Sequence, residues 1–304
     1  VTGRLLEIPE QTLHQWIAQI QQGNHSGRLP SYIPKITTVQ SHTIGLSIQA
    51  QHLPSIQCGA FQQHFSLMSL MKPFLLLHLL EQQDEATVFQ SVGSQPSDQP
   101  FHSLKQLAAD RGWPRNPMIN SGAICLAEQL VGATGAERCE YFCHWLNAMA
   151  QTNLILDYEM LDSVRSLPND ANHAIAQILY NSGAIGDLER AIDTYNHLCC
   201  LSLDVKMLAQ LGSLLALPHP KLHRRSQQIV NTLMFTCGVY EASSEWGLRM
   251  GLPIKSGVSG GILAIVPRQG AIGIYAPLVD ESGNSIFGAL LLEKIVQHLQ
   301  LSLF

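Results

Sequence analysis

Hydrophobic positions change their spacing twice along this chain, and the changes divide it into three stretches. Near the start, Leu13, Trp16, Ile17 and Ile20 fall on one face of a helix. A loop through Gly27 and Pro30 follows, then two β-rich runs, Thr43–Gln49 and Ser55–Phe61, joined by a turn that contains Pro54. A helix is predicted to begin near Ser69. From about residue 101 to 235 the period is helical almost throughout, with helices predicted over 103–110, 121–132, 136–151, 170–182, 187–199, 203–215 and 224–235. After that the period returns to two. Gly261–Pro267 and Ala271–Ala276 flank Arg268-Gln269-Gly270, the pattern of a β-hairpin. A last helix is predicted over 285–299.

Strands at both ends and helices in the middle imply an α+β fold. One antiparallel sheet would be assembled from N- and C-terminal segments and flanked by helices, with a mostly helical subdomain inserted. In this reading residues 1–68 and 236–304 form the sheet-bearing lobe and 69–235 the helical lobe. A site is expected where the two meet.

Composition narrows the partners. The 304 residues are 46% hydrophobic and 13% charged, enough apolar material for a sizeable core. A formal charge of −5 gives no electrostatic reason to expect nucleic acid or an anionic membrane surface. The longest apolar stretch, Phe65–Leu80, is interrupted by Lys72 and His78 and is too short to span a bilayer. Seven cysteines without ligand or redox spacing read as reduced core thiols, and Val1–Glu10 lacks the pattern of an export signal. A cytoplasmic location is therefore expected. The 13 histidines show no ligand spacing, so no metal ligand is assigned among them.

Candidate chemistry begins at Ser69-Leu70-Met71-Lys72. On a helix, residues three apart share a face, so hydroxyl and amine can meet. Only seven lysines occur in the chain, and this one interrupts an otherwise apolar run. Burial lowers a lysine's pKa and makes it a usable base toward a neighbouring hydroxyl. Pro73 suits the first turn of a helix, which would leave the Ser69 amide free to stabilise an oxyanion. The plainer alternative is a capping serine followed by a snorkelling lysine. Lys255-Ser256-Gly257-Val258, just before the hairpin, adds a second signal. Ser-x-x-Lys followed far downstream by Lys-Ser/Thr-Gly is the order found in penicillin-recognising enzymes.

Longer segments carry a family resemblance. Arg115-Asn116-Pro117-Met118-Ile119-Asn120-Ser121-Gly122-Ala123-Ile124 resembles a block of the serine-dependent glutaminases. So do Cys237-Gly238-Val239-Tyr240 and Gly251–Ile262, with shorter matches at Ser31–Pro34 and Gly283–Ser285. The resemblance covers roughly residues 27–290 and implies a serine β-lactamase-like fold and hydrolysis of glutamine to glutamate and ammonia through an acyl-enzyme. It implies Ser69 as nucleophile, Lys72 as its base, Tyr240 as a proton shuttle and Lys255 as support for the local field. Backbone amides of Ser69 and Val258 would form the oxyanion hole. Asn120, Asn172 and Tyr195 resemble residues that contact the bound amino acid. The family also implies a homodimer or homotetramer and no cofactor.

This sequence departs from the family pattern at one informative place. Glutaminases have a Ser-Glu pair several residues before an Arg-Asn, and that glutamate holds the substrate's α-ammonium. Here the segment reads Asp162-Ser163-Val164-Arg165-Ser166-Leu167-Pro168-Asn169-Asp170-Ala171-Asn172, placing Val164 or Arg165 at that position. An arginine there would repel an ammonium and attract a carboxylate. Three readings stay open: Glu159, Asp162 or Asp170 replaces the glutamate; Arg165 selects a different, carboxylate-bearing substrate; or the protein binds without catalysing. Gln95, Asp98, His102, Met68 and Met71 also stand where the family carries other residues.

Overall fold

The structure, a computed structural model, describes residues 4–23, 25–51, 53–166 and 170–304. Its helices are α1 (Glu10–Gln22), α2 (Lys72–Gln82), α3 (Glu85–Phe89), α4 (Leu104–Ala109), α5 (Asn120–Ala127), α6 (Gly135–Ala150) and α7 (Tyr158–Ser166). After these come α8 (Asp170–Asn181), α9 (Leu188–Cys199), α10 (Val205–Ala216), α11 (Arg224–Cys237), α12 (Ser243–Met250) and α13 (Ile286–Leu299). The strands are β1 (Gly45–Ala50), β2 (Ile56–Gly59), β3 (Phe65–Ser66), β4 (Ile155–Leu156), β5 (Leu201–Leu203), β6 (Ile254–Ser256), β7 (Gly261–Val266) and β8 (Gly270–Tyr275).

The principal sheet has the expected composition: five antiparallel strands from the two ends of the chain, in the order β2-β1-β8-β7-β6. β8 lies in the middle, pairing Gly45↔Tyr275 through Ala50↔Gly270 on one side and Gly261↔Tyr275 through Val266↔Gly270 on the other. Alternation sends Ile262, Ala264, Ile272 and Ile274 into a core shared with α1 and α13. Leu263, Ile265 and Ala271 enter the larger core of the helical region. With both faces covered, β7 and β8 are buried throughout, which is why they read in sequence as continuous apolar runs. α10 can rest directly on β8 because Gly212 has no side chain; a Cβ there would come within 2.5 Å of the Ala271 Cβ.

Three differences from the sequence reading have local causes. The helix expected at Ser69 begins as a 3-10 turn over Met68–Met71, and α2 starts only at Lys72. Pro73 has no N–H to give the Ser69 carbonyl, so the Lys72 amide takes it one residue early. α5 stops at Ala127 rather than 132. Just beyond it, Glu128 turns its carboxylate to the amides of Gly186 and Asp187, and Gly132 adopts φ +142. The third difference is a second sheet, β3-β5-β4, whose strands of two or three residues are too short to show a period. β3 matters for function: it leads directly into the Ser69 turn, and the Leu67 amide is tied to the Leu201 carbonyl at 2.8 Å.

Candidate active site

Ser69 is buried in the 3-10 turn, and its neighbour Met68 is held at φ +46, a strained conformation for a side chain of that size. One turn on, Lys72 is 1% exposed, and burial pushes its amine down to about 7. Its Nζ donates to the Asn120 Oδ1 at 2.7 Å and to the Met118 carbonyl at 3.2 Å. A neutral amine has two N–H donors, so these two acceptors leave its lone pair uncommitted. Among the described residues no hydrogen bond joins Lys72 to Ser69. Asn120, the first residue of α5, is the hub of the network. Its Oδ1 also accepts from the Tyr195 hydroxyl at 3.1 Å, and its Nδ2 donates to the Asn172 Oδ1 at 2.9 Å.

Tyr240 approaches from the other side on a 3-10 turn after α11, with φ +60. Two strained non-glycine residues therefore flank the same hydroxyl. Burial raises the Tyr240 phenol well above its ordinary pKa, and the Ser69 hydroxyl is the main influence pulling it back. The phenol oxygen is buried and makes no hydrogen bond of normal geometry. Lys255 lies 4.1 Å from the centre of the Tyr240 ring. It is fully buried on β6, and its Nζ donates to the Gly238 and Ser256 carbonyls, both at 2.7 Å. Burial, with Lys72 as the next influence, depresses its pKa strongly. Gly257 lets this strand end press against the serine turn: a Cβ there would stand 3.0 Å from the Leu67 carbonyl oxygen. No hydrogen bond engages the amide of Ser69 or of Val258 among the described residues.

Above this floor opens a cavity of about 440 Å³ whose lining includes Ser69, Asn120, Asn172, Tyr195 and Val258. Lys72, Tyr240 and Lys255 do not line it. They touch the lining from behind, Lys72 through Asn120 and Tyr240 through the Phe101 ring at 4.6 Å. A wider groove of about 840 Å³ between α3 and α11 contains none of these residues.

The structure corrects the expectation for Arg165. This residue is not part of the lining; its guanidinium is paired with Asp193 on α9, and Val164 faces the cavity instead. The sequence could not separate the two because the spacing from Ser163 and from Asn172 disagrees by one residue. Residues 167–169 of that segment lie outside the described residues. Of the three carboxylates weighed as replacements, Glu159 is bonded to Lys35 at 3.0 Å and Asp162 does not line the cavity, whereas Asp170 does.

Several lining residues escaped sequence reasoning. Tyr32 belongs to the Ser31–Pro34 match but carried no role, and Arg28, Asp280 and Glu281 gave no signal. Cys199, read as a core thiol, is part of the wall, where burial pushes its thiol up to about 11 and keeps it neutral. Among the described residues, the group of side chains close enough to share a metal ion is Glu10, His14 and Cys58, which is outside this cavity.

Comparison with known proteins agrees with the architecture. The glutaminase family model matches residues 27–304. A glutaminase of Synechocystis sp. is 42% identical over 93% of this chain and 87% of its own length. One of Clostridioides difficile is 33% identical over 98% of this chain and 99% of its own. In three dimensions the chain superposes with TM-score 0.88 on a Bacillus subtilis glutaminase at 27% identity, covering 98% of this chain and all of the other. That structure is a covalent complex with 5-oxo-L-norleucine, formed by reaction with 6-diazo-5-oxo-L-norleucine. With the matched region running through the serine turn, the Asn120 block and the Lys255 strand, this chain belongs to the glutaminase family.

Proposed function

We propose that this protein hydrolyses the side-chain amide of L-glutamine to L-glutamate and ammonia through an ester on Ser69. The observation that carries the reading is the buried Lys72, whose amine is desolvated to near neutrality and has both N–H donors occupied one turn from the hydroxyl. In that state its lone pair can take the Ser69 proton as Oγ attacks the amide carbon. The oxyanion forms against the amides of Ser69 and Val258, which have no other partner to give up. Tyr240, a phenol held protonated by burial, delivers a proton to the departing nitrogen, and ammonia leaves. Water then attacks the ester by the same route in reverse, releasing glutamate and restoring the serine. The Lys255 amine lies over the Tyr240 ring, where it supports the local field during proton transfer. Asn120, Asn172 and Tyr195 present the amino-acid end of the substrate with amide and hydroxyl groups.

We further propose a cytoplasmic protein acting as a homodimer or homotetramer. All seven cysteines are buried and unbridged, as a reducing compartment favours. No described helix is long and apolar enough to cross a membrane.

Ammonia release from L-glutamine by the purified protein beside Ser69→Ala tests the reaction. Saturable release that the variant lacks is expected. A folded wild-type protein that releases none would overturn it.

A further inference from the structure

Val164 lines the cavity and Arg165 does not, so neither residue near the place of the family's ammonium-binding glutamate brings a carboxylate to it, yet a glutamine molecule entering the cavity still brings a positive charge that needs a partner. The lining offers three carboxylates: Asp170, Asp280 and Glu281. Asp280 is committed elsewhere. Its Oδ1 accepts from the Asn284 amide at 2.9 Å, and burial pushes its carboxyl above the usual carboxylate range. Asp280 and Glu281 also follow Val279, which is bridged to Arg28 through two backbone hydrogen bonds of 3.0 Å, so the cation of Arg28 shares their side of the cavity. Asp170 reaches the lining from a different element. It opens α8, and Asp170, Ala171 and Asn172 all line the cavity, so the helix meets the space end-on. No salt bridge occupies Asp170 among the described residues, and Ala171 beside it brings no charge. Two residues on, Asn172 joins Asn120, which also holds Lys72 and Tyr195, so this carboxylate is two residues from the side chain that ties α8 to the catalytic floor.

We propose that Asp170 receives the α-ammonium of the substrate and so restricts the site to amides that carry a free α-amine. The inference rests on the glutaminase reading, but its test does not need turnover. In a Ser69→Ala background, which holds substrate without consuming it, calorimetry compares L-glutamine with glutaramate, the same amide without the α-amine. Adding Asp170→Asn is expected to weaken L-glutamine binding about tenfold, while glutaramate binding stays unchanged. Glu281→Gln in the same background leaves both affinities within about twofold. In the active protein, Asp170→Asn raises KM for glutamine with little change in kcat. A residue that merely favours the first turn of α8 would alter thermal stability or affect both ligands alike. Equal weakening of both ligands, unchanged L-glutamine affinity, or the main effect appearing in Glu281→Gln would overturn the assignment. A wild type that binds glutamine in this charge-dependent way but releases no ammonia would sink the catalytic reading and leave this one standing.

Discussion

The floor and the rim of the cavity follow different rules. On the floor, Lys72 and Lys255 are almost wholly excluded from water, and each has two oxygen acceptors and an aromatic face around it. Changing any member strands a polar group in an apolar interior, so the network tolerates little. At the rim, Val164, Asp170, Glu281 and Arg28 are partly or fully open to water, where a charge can move from one position to another at small energetic expense. The same reaction machinery can thus be kept while the groups that hold the ends of the substrate are rearranged. Asp170 in place of a glutamate is one such rearrangement.

If the floor is the indispensable half, its variants should show the largest effects. Lys72→Met should lower kcat/KM by about four orders of magnitude or more, since nucleophile and base act as a unit. The same variant should flatten the pH dependence of folding stability. The folded pKa of Lys72 lies below its unfolded value, so the unfolded chain binds more protons between about pH 7 and the ordinary lysine range. Wild-type stability accordingly rises with pH across that window, and chemical denaturation at several pH values will show whether the methionine variant loses the slope. In wild type, kcat/KM should climb as pH rises through about 7, following loss of the Lys72 proton. The descending limb is expected where glutamine's own α-ammonium loses its proton, because Tyr240 holds its proton beyond that range.

Tyr240→Phe comes next, with a loss of about 10²–10³ in kcat and a smaller change in KM, as removal of a proton donor requires. A loss in KM alone would assign Tyr240 to binding and blur the line between floor and rim. The smallest effect belongs to the rim. Val164→Glu places a second carboxylate on the cavity wall and, with Asp170 already receiving the ammonium, should change KM for glutamine by no more than about twofold without altering kcat. A several-fold lower KM would mean that the wild-type cavity leaves the ammonium without a full partner.

The same division explains what could be read in the sequence. Ser69 and Lys72 stand out as candidates because a scarce lysine inside an apolar run has few explanations other than a tuned group, and Lys255 because Lys-Ser-Gly follows Ser-x-x-Lys far downstream. The central hairpin was legible because both its faces are covered, and every residue of β7 and β8 reports burial. Asn120 as the shared acceptor of Lys72 and Tyr195 was not legible, since an asparagine at a helix start looks the same whether it caps or connects. Arg165 misled for a related reason. A one-residue shift on α7 exchanges a cavity-facing position for a solvent-facing one, and the neighbouring matches fix the spacing only to within one residue. Asp280 and Glu281 arrive by a loop folded back onto Arg28, a contact over some 250 residues that no local pattern announces.

The role of Ser69 as nucleophile is tested by covalent capture with 6-diazo-5-oxo-L-norleucine followed by peptide mass mapping. The proton given up by Ser69 goes to the carbon bearing the diazo group, Oγ attacks that carbon, nitrogen leaves, and a 5-oxo-L-norleucine ether remains. A single adduct on the peptide containing Ser69, absent from Ser69→Ala, is the predicted result. An adduct on Cys199 or elsewhere with Ser69 unmodified, or no adduct on a folded protein, would contradict the account.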